Sequence, residues 1–215
     1  MTVRSPVDLY FFDFDQTLYS YDFRMRLPAI SLITGASQYH LAKTWWAGGY
    51  EARAEAGEWP TSGEYLAEFQ RVTGSCLTLE NWQEARALAS TAIPASVEAL
   101  RRASTLGTVS LLSNNPSPFA ESLPLLAPDV TAIVADNRLV SCQLGIRKPD
   151  ARLFELALAH YGARAEDTFF VDDSAGNIEG ARAVGIHCHQ LRYLNGAPQT
   201  DALDAAITHF TNRND

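Results

Sequence analysis

Short apolar runs alternate with longer amphipathic stretches along most of the chain. The clearest strand candidates are residues 9–14, 109–112 and 168–171, and the weaker ones are 132–135 and 186–189. The stretches with helical periodicity are residues 96–104, 118–126, 151–161 and 178–184. Strands that alternate with helices predict an α/β fold, here a doubly wound, Rossmann-like parallel sheet with helices on both faces.

The stretch from about residue 19 to residue 91 has a different pattern. It contains no convincing strand and about four helical segments, one opened by the capping-box pair Thr61 and Glu64 and another over residues 80–92. The chain returns to the sheet near Pro94. We therefore predict a catalytic core of residues 1–18 and 92–215, and a small all-helical cap domain of residues 19–91. The segment 137–144 is a candidate for a short extra strand pair.

Polar side chains follow each of the three clear strands. The three clusters are Asp13 with Asp15, Ser113 with Asn114 and Asn115, and Asp172 with Asp173. Ligands of open parallel sheets bind at the carboxyl ends of the strands, so we expect the clusters to converge on one crevice. Four carboxylates in one crevice repel each other unless a cation is present, and carboxylate and carbonyl oxygens suit Mg²⁺. Lys148 is a further cation, because Pro149 biases it away from helix and holds it at a turn.

These motifs resemble those of the haloacid-dehalogenase-like hydrolase superfamily, in the branch with a helical cap inserted after the first motif. The stretch from Asp13 to Leu18 is similar to its D-x-D-x-T motif, and Ser113 to the second motif. Lys148 is similar to the third motif, and Asp172 with Asp173, followed by Asn177, to the fourth. The resemblance covers roughly residues 7–190, with the motifs in the family's order.

The resemblance implies a role for each of these residues. Asp13 would be the nucleophile and a metal ligand, and Asp15 the general acid and base, with its backbone carbonyl on the metal. Thr17, Ser113 and the backbone N–H of Asn114 would hold phosphoryl oxygens. Lys148 would neutralise charge at Asp13. Asp173 would bind Mg²⁺ directly, Asp172 would bind it or hold its water, and Asn177 would orient this shell.

The implied activity is that of a Mg²⁺-dependent phosphatase. It would hydrolyse a small phosphomonoester, a sugar phosphate or a nucleoside monophosphate, through an aspartyl-phosphate intermediate. A phosphomutase uses the same groups and remains an alternative. A 2-haloacid dehalogenase is less favoured, because such enzymes lack the second aspartate of the first motif, which is present here as Asp15. A non-catalytic phosphate-ligand binding protein is the last alternative.

Substrate selection would come from the cap. Tyr19, Tyr21 and Arg24 are the preferred substrate-binding candidates, because they directly follow the catalytic loop. The other candidates are Arg26, His40, Trp45, Trp46 and Tyr50. For the aromatic residues among them, packing inside the cap is the favoured interpretation.

Composition narrows the class of partner. The 215 residues are 47% hydrophobic and carry a formal charge of −8, which disfavours nonspecific binding to nucleic acid or to an anionic membrane. Asp13 and Asp15 interrupt the first apolar run, and no run is long enough to span a membrane. We expect a cytoplasmic protein whose partner is a small phosphorylated metabolite. The oligomeric state is left open.

Overall fold

The computed structural model describes residues 8–213, which form nine strands and twelve α-helices. The strands are β1 (Leu9–Phe12), β2 (Tyr19–Tyr21), β3 (Ser90–Ala92), β4 (Thr108–Ser113), β5 (Arg138–Val140), β6 (Thr168–Asp172), β7 (His187–Gln190), β8 (Tyr193–Leu194) and β9 (Ala197–Pro198). The helices of the first half are α1 (Phe23–Thr34), α2 (Gln38–Leu41), α3 (Tyr50–Glu55), α4 (Ser62–Thr73), α5 (Leu79–Leu88) and α6 (Pro94–Ala103). Those of the second half are α7 (Ser117–Leu126), α8 (Pro128–Val134), α9 (Ser141–Leu144), α10 (Ala151–Tyr161), α11 (Ala175–Ala183) and α12 (Thr200–Thr211).

Five of the strands form one parallel sheet in the order β5-β4-β1-β6-β7. Its central strand is β1, whose last residue, Phe12, pairs with Leu111 of β4 and with Val171 of β6. The three strands that precede the polar clusters are therefore neighbours with aligned ends. Parallel strands need crossover connections, and the helices between them make those connections on both faces of the sheet.

Alternate residues of β1 pack on opposite faces of the sheet. Tyr10 and Phe12 belong to a large apolar cluster that also contains residues of the cap. Leu9 and Phe11 belong to a second cluster, formed with α10 and α11. Strand side chains alternate in direction, so a strand that is apolar at every position must be covered on both sides. The predicted doubly wound α/β core is confirmed.

The edge of the sheet beyond β4 differs from the prediction. Residues 132–135 are not a strand, since they fall at the end of α8, where Val130 and Val134 are buried four residues apart. Pro128 occupies the first turn of this helix, where its missing N–H has no cost. The edge strand is β5, inside the segment 137–144. That segment supplies one strand and the short helix α9 instead of a strand pair.

The inserted segment is helical, with two short strands at its base. It contains α1 to α5 and a π-helical turn, Ala42–Trp46, and the predicted capping box of Thr61 and Glu64 opens α4. The chain leaves the core along β2 and returns along β3, so the two pair antiparallel, Tyr19 with Ala92. The expected helix over residues 80–92 consequently ends at Leu88, and residues 90–92 form a strand of the ribbon at the base of the helical insert.

The boundaries of core and cap stay a prediction. The ribbon of β2 and β3 is a natural junction, because it is where the chain crosses between the sheet and the inserted helices. Residues 1–7 and 214–215, which were assigned to the core, lie outside the described residues. In the part of the chain that the structure describes, no helix combines the length and the apolar character needed to cross a membrane.

Candidate active site

The polar clusters meet at the carboxyl ends of β1, β4 and β6. Asp13 directly follows β1, and its backbone N–H donates to the carbonyl of Val171 at 3.0 Å, which fixes it beside Asp172. Its carboxylate is buried, with 6% of the residue exposed. The sheet thus delivers Asp13 and Asp172 to one place, as the sequence predicts.

Lys148 joins these two acids. Its ammonium Nζ donates to Asp13 Oδ1 at 2.8 Å, to Asp172 Oδ2 at 2.7 Å and to the carbonyl of Leu112 at 2.8 Å. Asn114 positions the lysine backbone: its Oδ1 accepts from the Lys148 N–H, and its Nδ2 donates to the Lys148 carbonyl, both at 2.9 Å. The side chain of Asn114 therefore has a role that the sequence did not indicate.

Asp172 and Asp173 have different surroundings. Asp172 is completely buried, and besides Lys148 it accepts from the Ser174 N–H at 2.8 Å and from Asn177 Nδ2 at 3.0 Å. Asp173 is partly exposed, and Gln190 Nε2 anchors its backbone carbonyl at 3.0 Å. Oxygen atoms of Asp13, Asp172 and Asp173 all lie within 4.8 Å of one another.

The electrostatics of this acidic cluster fit a divalent cation. Three carboxylates face one ammonium, a formal excess of two negative charges. Burial raises the pKa of Asp13; Lys148 opposes the rise, and Asp172 adds to it. Burial and the charge of Asp172 raise the pKa of Asp173 to about 6. Burial also works against the ammonium of Lys148, but Asp13 and Asp172 outweigh it and raise the lysine pKa. Lys148 is charged, because three acceptors surround its ammonium group. The cluster therefore carries uncompensated negative charge. Carboxylate oxygens of this kind are ligands that suit Mg²⁺.

A buried hydroxyl lies in the loop after β1. Gln16 has a positive φ of 59°, and the N–H groups of Leu18 and Tyr19 both donate to the carbonyl of Phe14, at 2.9 and 3.0 Å. This tight turn buries Thr17 completely, and its Oγ1 has no hydrogen-bond partner among residues 8–213. An unpaired buried hydroxyl is costly, and a phosphoryl oxygen is an acceptor that would satisfy it.

Ser113 is also buried at this end of the sheet, where its Oγ accepts from Asn115 Nδ2 at 3.0 Å. The same amide group donates to Asp15 Oδ2 at 3.0 Å. The other carboxylate oxygen of Asp15, Oδ1, is held by an ion pair with Arg86 of α5. Asp15 thus contacts the core and the cap at once, and its carboxylate lies outside the acidic cluster of Asp13, Asp172 and Asp173.

Two cavities adjoin these residues. The cap cavity, of about 220 Å³, lies between Asp15 and Asn115 of the core and Tyr21, Arg26, Trp46 and Arg86 of the inserted segment. The outer cavity, of about 580 Å³, is lined by Gln16, Tyr21, Arg24, Asp173 and Tyr193. A third cavity, of about 330 Å³, lies at the opposite ends of the strands, beside Leu9 and Thr108, away from the acidic cluster.

The three preferred cap candidates have different positions. Tyr21 lines both the cap cavity and the outer cavity. Arg24 lines the outer cavity and forms an exposed ion pair with Asp22. Tyr19 is buried, stacks on Phe14 and donates to Asp129 Oδ1 at 2.5 Å, so the structure does not bring it to either cavity beside the acids.

The other cap candidates fall into two groups, those packed inside the cap and those that line the cap cavity. Trp45 is completely buried and donates to Glu51 at 2.5 Å, Tyr50 stacks on it, and His40 contacts the carbonyl of Thr73. Packing inside the cap was the favoured interpretation for these aromatics. Arg26 and Trp46 line the cap cavity.

Sequence reasoning missed Arg86 and the hydrogen bonds by which Asn115 joins Ser113 to Asp15. A signal for Arg86 was available: it lies four residues after Trp82, on the buried face of α5. An arginine on the apolar stripe of an amphipathic helix needs a buried partner, and here that partner is Asp15. The contact spans 71 positions of the chain, and nothing in the local pattern identifies its other end.

Comparison with known proteins gives a curated relative over most of the chain. A phosphatase of Mycobacterium tuberculosis is 27% identical over 187 residues, which are 83% of this chain and 84% of that protein. Two other curated relatives match over 47% and 40% of this chain, and these matches span only 21% and 8% of their own lengths.

Solved structures share the fold. A HAD-like family hydrolase of Porphyromonas gingivalis has a TM-score of 0.76 at 20% identity, covering 97% of this chain and 99% of that one. A HAD family enzyme of Bacteroides thetaiotaomicron, solved with magnesium and inorganic phosphate, has a TM-score of 0.71 at 19% identity, covering 86% and 94%. A 2-haloacid dehalogenase of Pseudomonas syringae has a TM-score of 0.64 at 18% identity, covering 95% and 99%. Phosphate-binding proteins and dehalogenases therefore share this fold, and only the site distinguishes them.

Residues 7–185, which include all four motifs, match the sequence family described as haloacid dehalogenase-like hydrolase. The match covers well over half of the chain, and the parallel sheet and its acidic cluster agree with it. The chain belongs to the haloacid dehalogenase-like hydrolase family.

Proposed function

We propose that the chain is a Mg²⁺-dependent phosphatase that hydrolyses a small phosphomonoester through a phosphoryl group carried on Asp13. The observation that carries the proposal is the contact of the buried Asp13 carboxylate with Lys148 Nζ at 2.8 Å, inside a cluster with Asp172 and Asp173. The unpaired hydroxyl of Thr17 supports a phosphoryl group beside Asp13.

In the first step, an oxygen of Asp13 attacks phosphorus while the bond from phosphorus to the leaving oxygen breaks. Lys148 holds Asp13 Oδ1 and limits the charge that accumulates there. Thr17 and Ser113 donate to the phosphoryl oxygens. Asp15 gives a proton to the leaving oxygen, so that an alcohol departs instead of an alkoxide.

In the second step, water attacks the phosphorus of phosphoryl-Asp13. Asp15, now deprotonated, accepts the proton of that water, the bond between Asp13 and phosphorus breaks, and inorganic phosphate leaves. Dividing one displacement into two allows a single carboxylate to serve first as acid and then as base. Each step restores what the other consumes, so the protein ends in its starting state.

Asp173, Asp172 and Asp13 would hold Mg²⁺, with the backbone carbonyl of Asp15 as a further ligand. The ion supplies positive charge to phosphoryl oxygens and balances the carboxylates. Asp173 is the best direct ligand, because hydrogen bonds from Ser174, Asn177 and Lys148 already occupy the Asp172 oxygens. Asn177 would orient Asp172 through the contacts it makes to both of that residue's oxygens.

A phosphomutase remains the nearest alternative, since it differs only in whether water or a second hydroxyl accepts the phosphoryl group. Dehalogenation is less well supported. Expulsion of halide needs no proton donor and no metal, so Asp15 and the metal-binding role of Asp173 would then have no use. The relative from Mycobacterium tuberculosis is named as a phosphatase, which supports hydrolysis of a phosphate ester here.

Phosphate release from a panel of phosphorylated metabolites, measured with Mg²⁺ and with a chelator, tests the proposal. We expect release from at least one small phosphomonoester, abolished by the chelator and restored by added Mg²⁺. Release of halide from 2-haloacids in the presence of chelator, without any phosphate release, would contradict it. Transfer of phosphate between positions of a sugar phosphate would favour the mutase.

A further inference from the structure

The cap cavity contains two buried arginines whose donors are only partly used. Arg26 is 3% exposed; its Nη1 donates to the Tyr21 hydroxyl at 3.2 Å, while its Nε and Nη2 have no partner among residues 8–213. Arg86 is 2% exposed; its Nη2 pairs with Asp15, and its Nε has no partner within the same range. Both guanidinium groups line the cap cavity and lie over aromatic rings, Arg26 over Trp82 at 4.9 Å and Arg86 over Tyr21 at 4.4 Å, so the cavity presents two cations beside Asp15.

The two neighbouring glutamates, Glu51 and Glu55, accept no hydrogen bond from Arg26 or Arg86. Glu51 Oε2 already accepts from Trp45 at 2.5 Å and from Tyr65 at 2.7 Å, and its Oε1 lies 3.7 Å from Arg26. Glu55 Oε2 lies 2.8 Å from Arg147 without a hydrogen bond to it, and it makes none to Arg26 or Arg86. Asp15 is therefore the acid that compensates Arg86.

The ion pair of Asp15 with Arg86 conflicts with the proposed role of Asp15 as general acid. Arg86 and Asn115 donate to its two oxygens, which holds the carboxyl group toward the cap and outside the acidic cluster where the phosphoryl group would bind. Asp15 must part from Arg86 before it acts. Arg86 would then be a buried cation without a partner, unless the substrate supplies an anion.

The size of the cavity limits what that anion is attached to. Its volume of about 220 Å³ compares with about 580 Å³ for the outer cavity. A leaving group of a few carbon atoms matches the smaller cavity better than a nucleoside does. Among small anions, a carboxylate matches the planar fork of a guanidinium and can accept from two of its N–H groups.

We propose that the substrate is a short phosphomonoester whose leaving alcohol carries a carboxylate, and that this carboxylate takes the place of Asp15 on Arg86, with Arg26 as a second donor. The inference rests on the proposed phosphatase function and narrows its substrate class. Arg86 becomes a specificity residue that frees Asp15 only when the correct leaving group is bound. Phosphomonoesters without the carboxylate leave Asp15 held by Arg86.

A matched pair of substrates tests the inference. 3-Phosphoglycerate and glycerol 3-phosphate differ only in a carboxylate against a hydroxymethyl group. We expect wild type to prefer 3-phosphoglycerate in kcat/KM by about 10-fold or more, the size typical of one hydrogen bond to a charged group. In Arg86→Gln the ratio of the two kcat/KM values should fall toward one. Arg86→Lys keeps the positive charge and should retain part of the preference for 3-phosphoglycerate.

The ratio of two substrates in one preparation does not depend on the fraction of folded protein, so partial misfolding of an Arg86 variant does not obscure the result. Arg71→Gln is the control, because Arg71 is an exposed cap arginine paired with Glu68, and its ratio should equal that of wild type. A wild-type ratio of one or below, or an unchanged ratio in Arg86→Gln, would overturn the inference.

A binding measurement tests this inference independently of the proposed phosphatase activity. Calorimetry of the two ligands with Asp13→Asn, which should not turn over, reports the preference without catalysis. We expect tighter binding of 3-phosphoglycerate, lost when Arg86→Gln is added. If the binding preference is present but wild type hydrolyses no phosphomonoester, the phosphatase proposal fails and the carboxylate site stands. If phosphomonoesters are hydrolysed and neither binding nor turnover prefers the carboxylate, only the carboxylate site fails.

Discussion

Asp172 and Asp173 show how far neighbouring residues of one motif can differ. Four hydrogen bonds from Lys148, Ser174 and Asn177 hold Asp172 inside the protein. Asp173 keeps its carboxylate partly exposed, with a pKa raised by burial to about 6. A carboxylate that neighbouring donors already satisfy is a structural support, and one that they do not satisfy is available to a cation.

Substituting the two acids separately should therefore give different results. Asp173→Asn should raise the Mg²⁺ concentration for half-maximal activity by more than about 100-fold, because a direct ligand is lost. Asp172→Asn should raise it less, within the range of about 10- to 100-fold typical of supporting groups, and should lower thermal stability, because Lys148 loses a buried partner. Titration of activity against Mg²⁺ measures the midpoint of each variant, and thermal denaturation measures the stability of Asp172→Asn. Asp201→Asn, an exposed acid of α12, is the control, and equal midpoints in wild type and Asp173→Asn would refute the assignment.

The sequence identifies the residues of the acidic cluster but not every contact among them. Asp13, Ser113, Asp172 and Asp173 can be recognised because they lie at the ends of predicted strands, Lys148 because it precedes a proline, and Thr17 only through the family motif. The amide of Asn114 on the Lys148 backbone, and the ion pair of Arg86 with Asp15, join residues that are 34 and 71 positions apart. Such contacts depend on how elements pack, and periodicity within one element contains no information about them.

At the scale of elements, the position of Lys148 depends on how closely α11 approaches the turn at Pro149, which directly follows the lysine. Gly180 of α11 lies against the carbonyl of Pro149, and a Cβ atom at this position would collide with that oxygen. The peptide bond between Lys148 and Pro149 is cis. A helix without a side chain at its point of contact lets the Pro149 backbone lie directly on it.

Gly180→Ala should therefore separate α11 from the lysine turn. Overpacking of this kind typically costs about 1–3 kcal/mol, and each kcal/mol lowers the melting temperature by about 2–4 °C in a domain of this size. We expect lower thermal stability together with lower kcat, since Lys148 is displaced from Asp13. Gly176→Ala in the same helix is the matched control, because its Cβ would meet Ser174 Oγ only at 3.9 Å. Similar melting temperatures and kcat in the two variants would show that the close approach is unimportant.

The elements that the sequence predicted correctly are those with strong periodicity or central position. The three motif strands and the helix of residues 151–161 belong to this group. The errors lie where short segments are decided by their neighbours. Residues 132–135 are apolar enough for a strand, but their burial repeats at helical spacing in α8. Strand β3 exists because β2 lies beside it, and a single sequence window cannot reveal a partner 71 residues away, as Thr91 is from Ser20.

At the scale of the whole molecule, the inserted segment and the core meet at the loop after β1. The ion pair of Asp15 with Arg86 and the ribbon of β2 and β3 both connect the inserted helices to the end of β1. Asp15, the proposed general acid, is thus in contact with the segment expected to select the substrate. This arrangement gives the cap a direct influence on the first and second steps of the proposed reaction.

The central claim is that Asp13 carries a phosphoryl group whose formation and breakdown both use Asp15. Asp15→Asn retains the backbone carbonyl but cannot donate or accept the proton, a loss that typically costs about 10²- to 10⁴-fold in rate. An aryl phosphate has a good leaving group and needs little proton donation, so the first step should be spared and the second should remain slow. Asp13→Asn is the control, since it removes the nucleophile.

Rapid mixing of Asp15→Asn with an aryl phosphate and Mg²⁺, followed by mass spectrometry of the quenched protein, is the most direct test. We predict a burst of aryl alcohol close to one equivalent, then slow turnover, with a phosphoryl group on the peptide that contains Asp13 and none in Asp13→Asn. Steady release of alcohol without a burst, and an unmodified Asp13 peptide, would contradict the account.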